Sequence, residues 1–240
     1  MTSIVRTHDV FYLDEDRYHQ PKQMFVDIID AMRPLGADRP GAVIADFGCA
    51  AGEFAFALRE SFPSSRIEGY DLLEELLVKA RRMVPAAVFH GGSVLDHSIC
   101  PAGHADFSLC VGVLSIFDTF EPLIENLLSW TKPGGHVFLQ GLFNDHPVDV
   151  NVKYSLSGDY AKGVLESGWN LFSKQTVTRW LHSRLDVLEF SFTDFVPEFD
   201  LARRDDPVRS WTITGADGKR IVTNGLCLLQ PHSILHLQKR

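Results

Sequence analysis

The apolar run Ala42-Val43-Ile44-Ala45, followed at once by Asp46-Phe47-Gly48-Cys49-Ala50-Ala51-Gly52-Glu53, constrains this chain more than any other stretch. A buried strand ends there, the backbone turns on glycines, and the apolar periodicity becomes helical at Phe54, Ala57 and Leu58. Glycines let a backbone approach a ligand closely, and the first turn of the following helix has N–H groups that attract anionic oxygens. Spacing narrows the choice of ligand. A dinucleotide fingerprint, G-x-G-x-x-G begun at Gly48, would put its second and third glycines on Ala50 and Glu53, so a pyrophosphate would meet a methyl group and a carboxylate. No Gly-Lys-Ser/Thr follows, which excludes a phosphate-binding loop of the nucleotide triphosphatase kind. An acid-x-Gly-x-x-x-Gly turn remains, and on this segment alone an ordinary strand-to-helix turn accounts for it equally well.

Four further stations follow in order. Arg66-Ile67-Glu68-Gly69-Tyr70-Asp71 reads as a second strand ending in an acid, 25 residues after Asp46, ahead of the helical pattern Leu73, Leu76, Leu77, Ala80. A carboxylate there has two acceptor oxygens to match two vicinal hydroxyls, and Asp also suits a helix N-cap. Residues 86–96 form a short strand running into the turn Gly91-Gly92-Ser93-Val94. The centre of 105–117 is too apolar for an exposed strand. Helical spacing at Leu123, Ile124, Leu127 and Leu128 is ended by Thr131-Lys132-Pro133-Gly134-Gly135, and a strand from His136 to Gly141 follows.

From about Val43 to Leu142 this order resembles the class I S-adenosylmethionine-dependent methyltransferases. The resemblance implies a Rossmann-like α/β three-layer sandwich, with a seven-stranded, mostly parallel sheet whose last strand is antiparallel. It implies methyl transfer from S-adenosylmethionine, leaving S-adenosylhomocysteine. The methionine and ribose portions would lie on Asp46, Gly48, Cys49, Ala50 and Gly52, with the ribose hydroxyls on Asp71 beside Leu72. Adenine would lie against the backbone of Ser93 and Val94. Ser93 stands where the family often has an acid, which makes Asp96 a further candidate. Val111 and Gly112, after the central strand, would lie beneath the transferable methyl group. In the family an N-terminal segment often folds over the cofactor. Among Phe11, Tyr12, Tyr18, His19 and Gln20, Tyr12 and Tyr18 are therefore candidate lid residues, since a ring face attracts a sulfonium, with plain packing as the alternative.

The remainder must recognise the acceptor. Met24, Phe25, Ile28, Ile29 and Met32 form a helical stripe ended by Pro34 and Gly36, which core packing explains. Residues 143–172, rich in Asn, Asp, Gly, Ser and aromatics, suit an irregular or partly helical cap at the carboxyl edge of the sheet, where open α/β sheets bind ligands. Asn144, Asp145, His146, Tyr154, Tyr160 and Trp169 are expected to meet the acceptor; for a hydroxyl acceptor His146 is the first choice of base and Asp145 the second, whereas an amine needs none. Ser173 reads as the N-cap of a helix carrying Val177, Trp180 and Leu181. A strand over 185–192, a hairpin pairing 211–214 with 220–223, and a last strand over 233–238 complete the pattern. His232 and His236 share a face there, but four extended residues span about 13 Å, so no metal site is expected. The organisation is a single domain: an N-terminal lid and helix over 1–38, a cofactor-binding core over 39–142, a cap over 143–184, and C-terminal strands with an inserted hairpin over 185–240.

Composition agrees with one enzyme domain. At 240 residues and 45% apolar, the chain can bury roughly 70–75% of the surface that its unfolded form exposes. Thirty-one acidic residues against 23 basic give a net charge of −8, which works against a nucleic-acid partner. The segment from Val111 to Ser115 also lacks the Asn/Asp-Pro-Pro-aromatic pattern of enzymes that methylate base amines. Cys49, Cys100, Cys110 and Cys227 contain no Cys-x-x-Cys pair and read as buried reduced thiols in a cytoplasm. No secretory leader and no apolar run of about 18 residues is present, so a membrane role is not expected. The expected partner is a small-molecule acceptor, methylated on oxygen or nitrogen; the hairpin is a candidate homodimer surface. A nicotinamide-dependent Rossmann enzyme and a non-catalytic methyltransferase-like subunit are the alternatives.

Overall fold

The computed structural model describes residues 12–240. Phe11 lies outside the described residues. In chain order the elements are α1 (Gln23–Met32), β1 (Val43–Phe47), α2 (Glu53–Ser61), β2 (Arg66–Asp71), α3 (Glu74–Met83), β3 (Val88–Gly91), β4 (Ala105–Val111), α4 (Glu121–Trp130) and β5 (Thr131–Asn144). Then come the short β6 (Lys153–Tyr154), β7 (Glu166–Ser167) and β8 (Phe172–Ser173), followed by α5 (Lys174–His182), β9 (Val187–Asp194), β10 (Trp211–Thr214), β11 (Arg220–Thr223) and β12 (His232–Lys239).

The main sheet has the order β3-β2-β1-β4-β5-β12-β9. The five strands from β3 to β5 run parallel, and β12 lies antiparallel between β5 and β9. This is the expected seven-stranded pattern, extended by the two-residue β8 beside the end of β5. All five residues of β1 are buried, because helices cover both faces of a parallel sheet. One core lies on the side of α4 and α5, where fully buried Trp130 stacks on Phe47 at 4.4 Å and its Nε1 donates to the carbonyl of His97 at 3.0 Å. The second core lies on the side of α1 to α3 and contains the whole stripe Met24, Phe25, Ile28, Ile29 and Met32. The same helix buries Phe25 in a stack on Phe54 at 4.3 Å, which ties α1 to α2.

Three local expectations need correction. β5 starts at Thr131, so the Lys132-Pro133-Gly134-Gly135 run lies inside the strand as an irregularity. Ala105 pairs with Thr131 and Phe107 already pairs with His136, and Gly134 absorbs the extra chain at φ +77°. The cap is not wholly irregular, since β6 pairs with β7 and β8 joins the sheet edge. Fully buried Asn170 secures it: its Nδ2 donates to the carbonyl of Phe117 at 2.6 Å, and its Oδ1 accepts from the backbone of Val152 at 2.6 Å. Cys227 is exposed, unlike Cys49, Cys100 and Cys110. Among the described residues no helix is long and apolar enough to cross a membrane.

Trp130→Ala removes the largest fully buried side chain together with a hydrogen-bonded indole. Urea unfolding followed by far-UV circular dichroism is expected to show a loss of about 3–5 kcal/mol.

Candidate active site

The strand order reverses between β1 and β4, and their carboxyl-terminal loops open a crevice there. The two loops are in close contact. A Cβ on Gly48, whose φ is +85°, would fall 2.3 Å from a methyl of Val113. The backbone N–H groups of Gly48 and Cys49 both donate to the carbonyl of Tyr70, at 2.7 and 3.0 Å, which fastens the turn to the end of β2. Ala50 then sits at φ +46°, a conformation in which a residue with a Cβ is uncommon. Asp71 holds it there: one carboxylate oxygen accepts from the N–H of Ala50 at 2.8 Å, and the other from Leu73 at 2.9 Å. A carboxylate oxygen can accept more than one hydrogen bond, so these backbone contacts do not by themselves set the ribose and capping roles weighed for Asp71 against each other.

A cavity of about 970 Å³ spans this crevice. Of the residues expected to meet a cofactor, Asp46, Gly48, Cys49, Ala50, Asp71, Leu72, Ser93, Val94, Val111, Gly112 and Tyr12 all line it. Two do not. Gly52, at φ +81°, has its Cα against α3, where a Cβ would sit 3.0 Å from that of Ala80; its neighbours Ala51 and Glu53 face the cavity instead. Tyr18 is buried behind the turn. Its hydroxyl donates to the carbonyl of Ala51 at 2.7 Å and its ring meets Phe56 edge-on, so it braces the loop and is no lid; burial pushes its pKa up to about 12.

The described part of the N-terminal segment borders the crevice through Tyr12, Glu15, Arg17 and Lys22. Arg17 donates its backbone N–H to Glu53 at 2.9 Å, and Lys79 of α3 donates to the carbonyl of Leu13 at 2.8 Å. Glu15 joins this segment to the C-terminal part of the chain through an ion pair with Arg209, with Arg17 and Lys22 at 3.5 and 3.8 Å. Burial opposes ionisation of Glu15, but these cations outweigh it and hold its carboxyl below the usual range.

Asp145 and His146 are corrected. Both are exposed on the turn after β5, outside the cavity, and Asp145 pairs with Lys174 at 2.6 Å. Asn144, Tyr154 and Tyr160 are likewise absent from its wall, whereas Trp169 lines it. Much of the acceptor-side wall comes from the segment between β9 and the hairpin, through Phe195, Pro197, Phe199, Leu201 and Val208, and from Gln140 and His232. The sequence signal for that segment was an apolar cluster, Phe195-Val196-Pro197-Glu198-Phe199, that has neither helical nor strand periodicity.

Among the acids of the cavity wall Asp46 is the most deeply buried: it is 2% exposed, one carboxylate oxygen has no hydrogen-bond partner among the described residues, and burial followed by the nearby Asp71 pushes its pKa up to about 8. A buried, unpartnered carboxylate in a cavity wall fits a ligand that carries positive charge or hydrogen-bond donors.

A family model described as a methyltransferase domain matches residues 18–184. The chain belongs to the S-adenosylmethionine-dependent methyltransferase family. Trans-aconitate 2-methyltransferase of Deinococcus radiodurans is 28% identical over 126 residues, covering 52% of this chain and 47% of that protein. The enzyme of the same name from Streptomyces coelicolor is 30% identical over 122 residues, 48% of this chain and 39% of the relative. The chain thus spans less than half the length of these curated relatives. Among solved structures, magnesium protoporphyrin IX methyltransferase from Synechocystis, with S-adenosylmethionine bound, superposes with a TM-score of 0.55 at 14% identity, covering 100% of this chain and 87% of its own; that likeness establishes the fold. The family's cofactor, S-adenosylmethionine, carries the positive charge that Asp46 lacks, and the glycine-lined turn leaves room for it.

At neutral pH Asp46 is largely protonated, and a cation beside it favours the carboxylate and lowers its pKa. S-adenosylmethionine binding at pH 7 is therefore expected to release close to one proton, seen as a dependence of calorimetric heat on buffer ionisation enthalpy. Asp46→Asn should abolish that dependence.

Proposed function

We propose that the chain transfers a methyl group from S-adenosylmethionine to a small-molecule acceptor. The observation that carries this reading is one continuous crevice, in which a cofactor half built at the ends of β1, β2, β3 and β4 continues into an apolar acceptor half. Asp71 takes the ribose hydroxyls, and the turn at Ser93 and Val94 takes adenine. That turn is steadied from below, where buried Asn126 of α4 donates to the carbonyl of Val94 at 2.9 Å. Gly48, Cys49 and Ala50 meet the methionine end under Asp46.

When bound, S-adenosylmethionine supplies a methyl carbon made electrophilic by its sulfonium. The chain's own residues orient and dry the site. The strap from Tyr12 to Lys22 and the apolar wall from Phe195 to Val208 cover the crevice from two sides and are joined by Glu15 and Arg209. Excluding water while holding two reactants in line accounts for most of the acceleration such a reaction needs. A cavity of about 970 Å³ suits a cofactor with a small acceptor beside it, consistent with relatives named for trans-aconitate. The net charge of −8 favours such an acceptor over nucleic acid, and the buried free thiols fit a reducing cytoplasm. A nicotinamide cofactor is disfavoured by Ala50 and Glu53, whose side chains stand where its pyrophosphate needs bare backbone.

Calorimetric titration with S-adenosylhomocysteine is expected to give micromolar binding that Asp71→Ala weakens by about 1.5–3 kcal/mol, the value of hydrogen bonds to a charged acceptor. Unaltered affinity in a folded variant would remove Asp71 from the ribose site.

A further inference from the structure

The acceptor half of the crevice offers hydrogen-bond donors and no unengaged base. His232, the first residue of β12, lines the wall with Gln140 of β5 beside it. The amide Nε2 of Gln140 lies 2.7 Å from Nδ1 of His232 and 3.3 Å from the carbonyl of Gly141. Turning the amide over would set its oxygen against that carbonyl, so the nitrogen stays on the side of both groups. Gln140 therefore donates, and Nδ1 accepts. A neutral imidazole that accepts at Nδ1 carries its proton on Nε2, which has no hydrogen-bond partner among the described residues. Burial keeps the ring neutral.

The other ionisable groups on this side do not replace it as a proton acceptor. Glu15 is occupied by Arg209, Arg17 and Lys22. Asp145 and His146 lie outside the cavity. Arg204 lines the wall while remaining exposed to solvent, and among the described residues it makes no hydrogen bond or ion pair. Around these groups the wall is apolar, with Phe195, Phe199 and Leu201 foremost.

A nucleophile suited to this half needs no base, accepts a hydrogen bond from an imidazole N–H, answers an unpaired guanidinium, and carries an apolar body. Building on the methyltransferase reading above, we infer that the acceptor is an apolar carboxylate, held by Nε2–H of His232 and by Arg204, and that the product is its methyl ester. A lone pair of the carboxylate oxygen forms the new O–C bond as the S–C bond breaks, and the electron pair of that bond leaves on sulfur. The carboxylate loses its charge as the sulfonium loses its own, and no proton moves.

The test uses protein saturated with S-adenosylhomocysteine and three probes on one skeleton: cinnamate, cinnamamide and cinnamylamine. Cinnamate is expected to bind at least about tenfold more tightly than the other two, as a charge-assisted hydrogen bond implies, and Arg204→Ala or His232→Phe should erase the difference. With methyl-labelled S-adenosylmethionine, label transferred to cinnamate should be released by mild alkali as methanol. In protein carrying 15N-histidine, the ring spectrum of His232 should show the proton on Nε2 and none on Nδ1. Equal binding of the three probes, no saturable binding of cinnamate, or a proton on Nδ1 of His232 would each overturn the assignment. The S-adenosylhomocysteine titration on the same sample separates the two levels. If it fails, the methyltransferase reading falls and takes this one with it; if it succeeds and cinnamate fails, only the carboxylate assignment falls.

Discussion

The contact between Gly48 and Val113 is the one on which the site depends. It sets the loop after β1 against the loop after β4 with no room for a side chain at position 48. Gly48 to Ala51 and Val111 to Val113 are then placed by short connections from those two strands, with Asp71 and Leu72 at the end of β2 and Ser93 and Val94 after β3 beside them. The turn from Gly48 to Ala51 is fixed to Tyr70 and Asp71 on one side and braced by Tyr18 from behind. Packing of the two loops, and not any single ligand contact, makes the crevice a rigid feature of the sheet.

Charge gives that crevice its selectivity. Asp46 and Asp71 lie at the ends of neighbouring parallel strands, and burial followed by the charge of Asp71 makes ionisation of Asp46 harder. Asp71 relieves part of this by accepting two backbone N–H groups, while Asp46 is left with an unpartnered oxygen in a dry wall. Such an arrangement is costly in the absence of a ligand and is offset by one that brings positive charge. At the other end the wall is mostly apolar, with His232 and the exposed Arg204 as polar residues in it.

The sheet and most of the lining of the crevice at the ends of β1, β2 and β4 were legible in the sequence because they depend on local chemistry. Buried strands announce themselves as apolar runs, the acids at 46 and 71 fall at strand ends, and a turn such as Gly48 to Gly52 needs glycine for reasons of backbone geometry. Gly52 was legible as a turn residue but not as one facing α3, because spacing does not say which side of a turn a Cα presents. Tyr18 stayed open between lid and plain packing for a related reason: an aromatic residue outside any periodic stripe does not show its partner in the sequence, and here its hydroxyl donates to a carbonyl 33 residues away. The acceptor half was the least legible. Its wall joins residues from β5, β12 and the segment after β9, more than 90 positions apart in the case of Gln140 and His232. The polar loop at 143–172 looked functional by composition, but Asn170 and Lys174 turn it into a structural cap, leaving Asp145 and His146 in solvent.

A crystal structure of the complex with S-adenosylhomocysteine would test the central claim most directly. The account predicts both ribose hydroxyls within hydrogen-bonding distance of Asp71, the adenine ring against Ser93 and Val94, and the amino-acid portion over Gly48 beneath Asp46. Density for the ligand elsewhere on the surface, with the crevice between β1 and β4 unfilled, would contradict it.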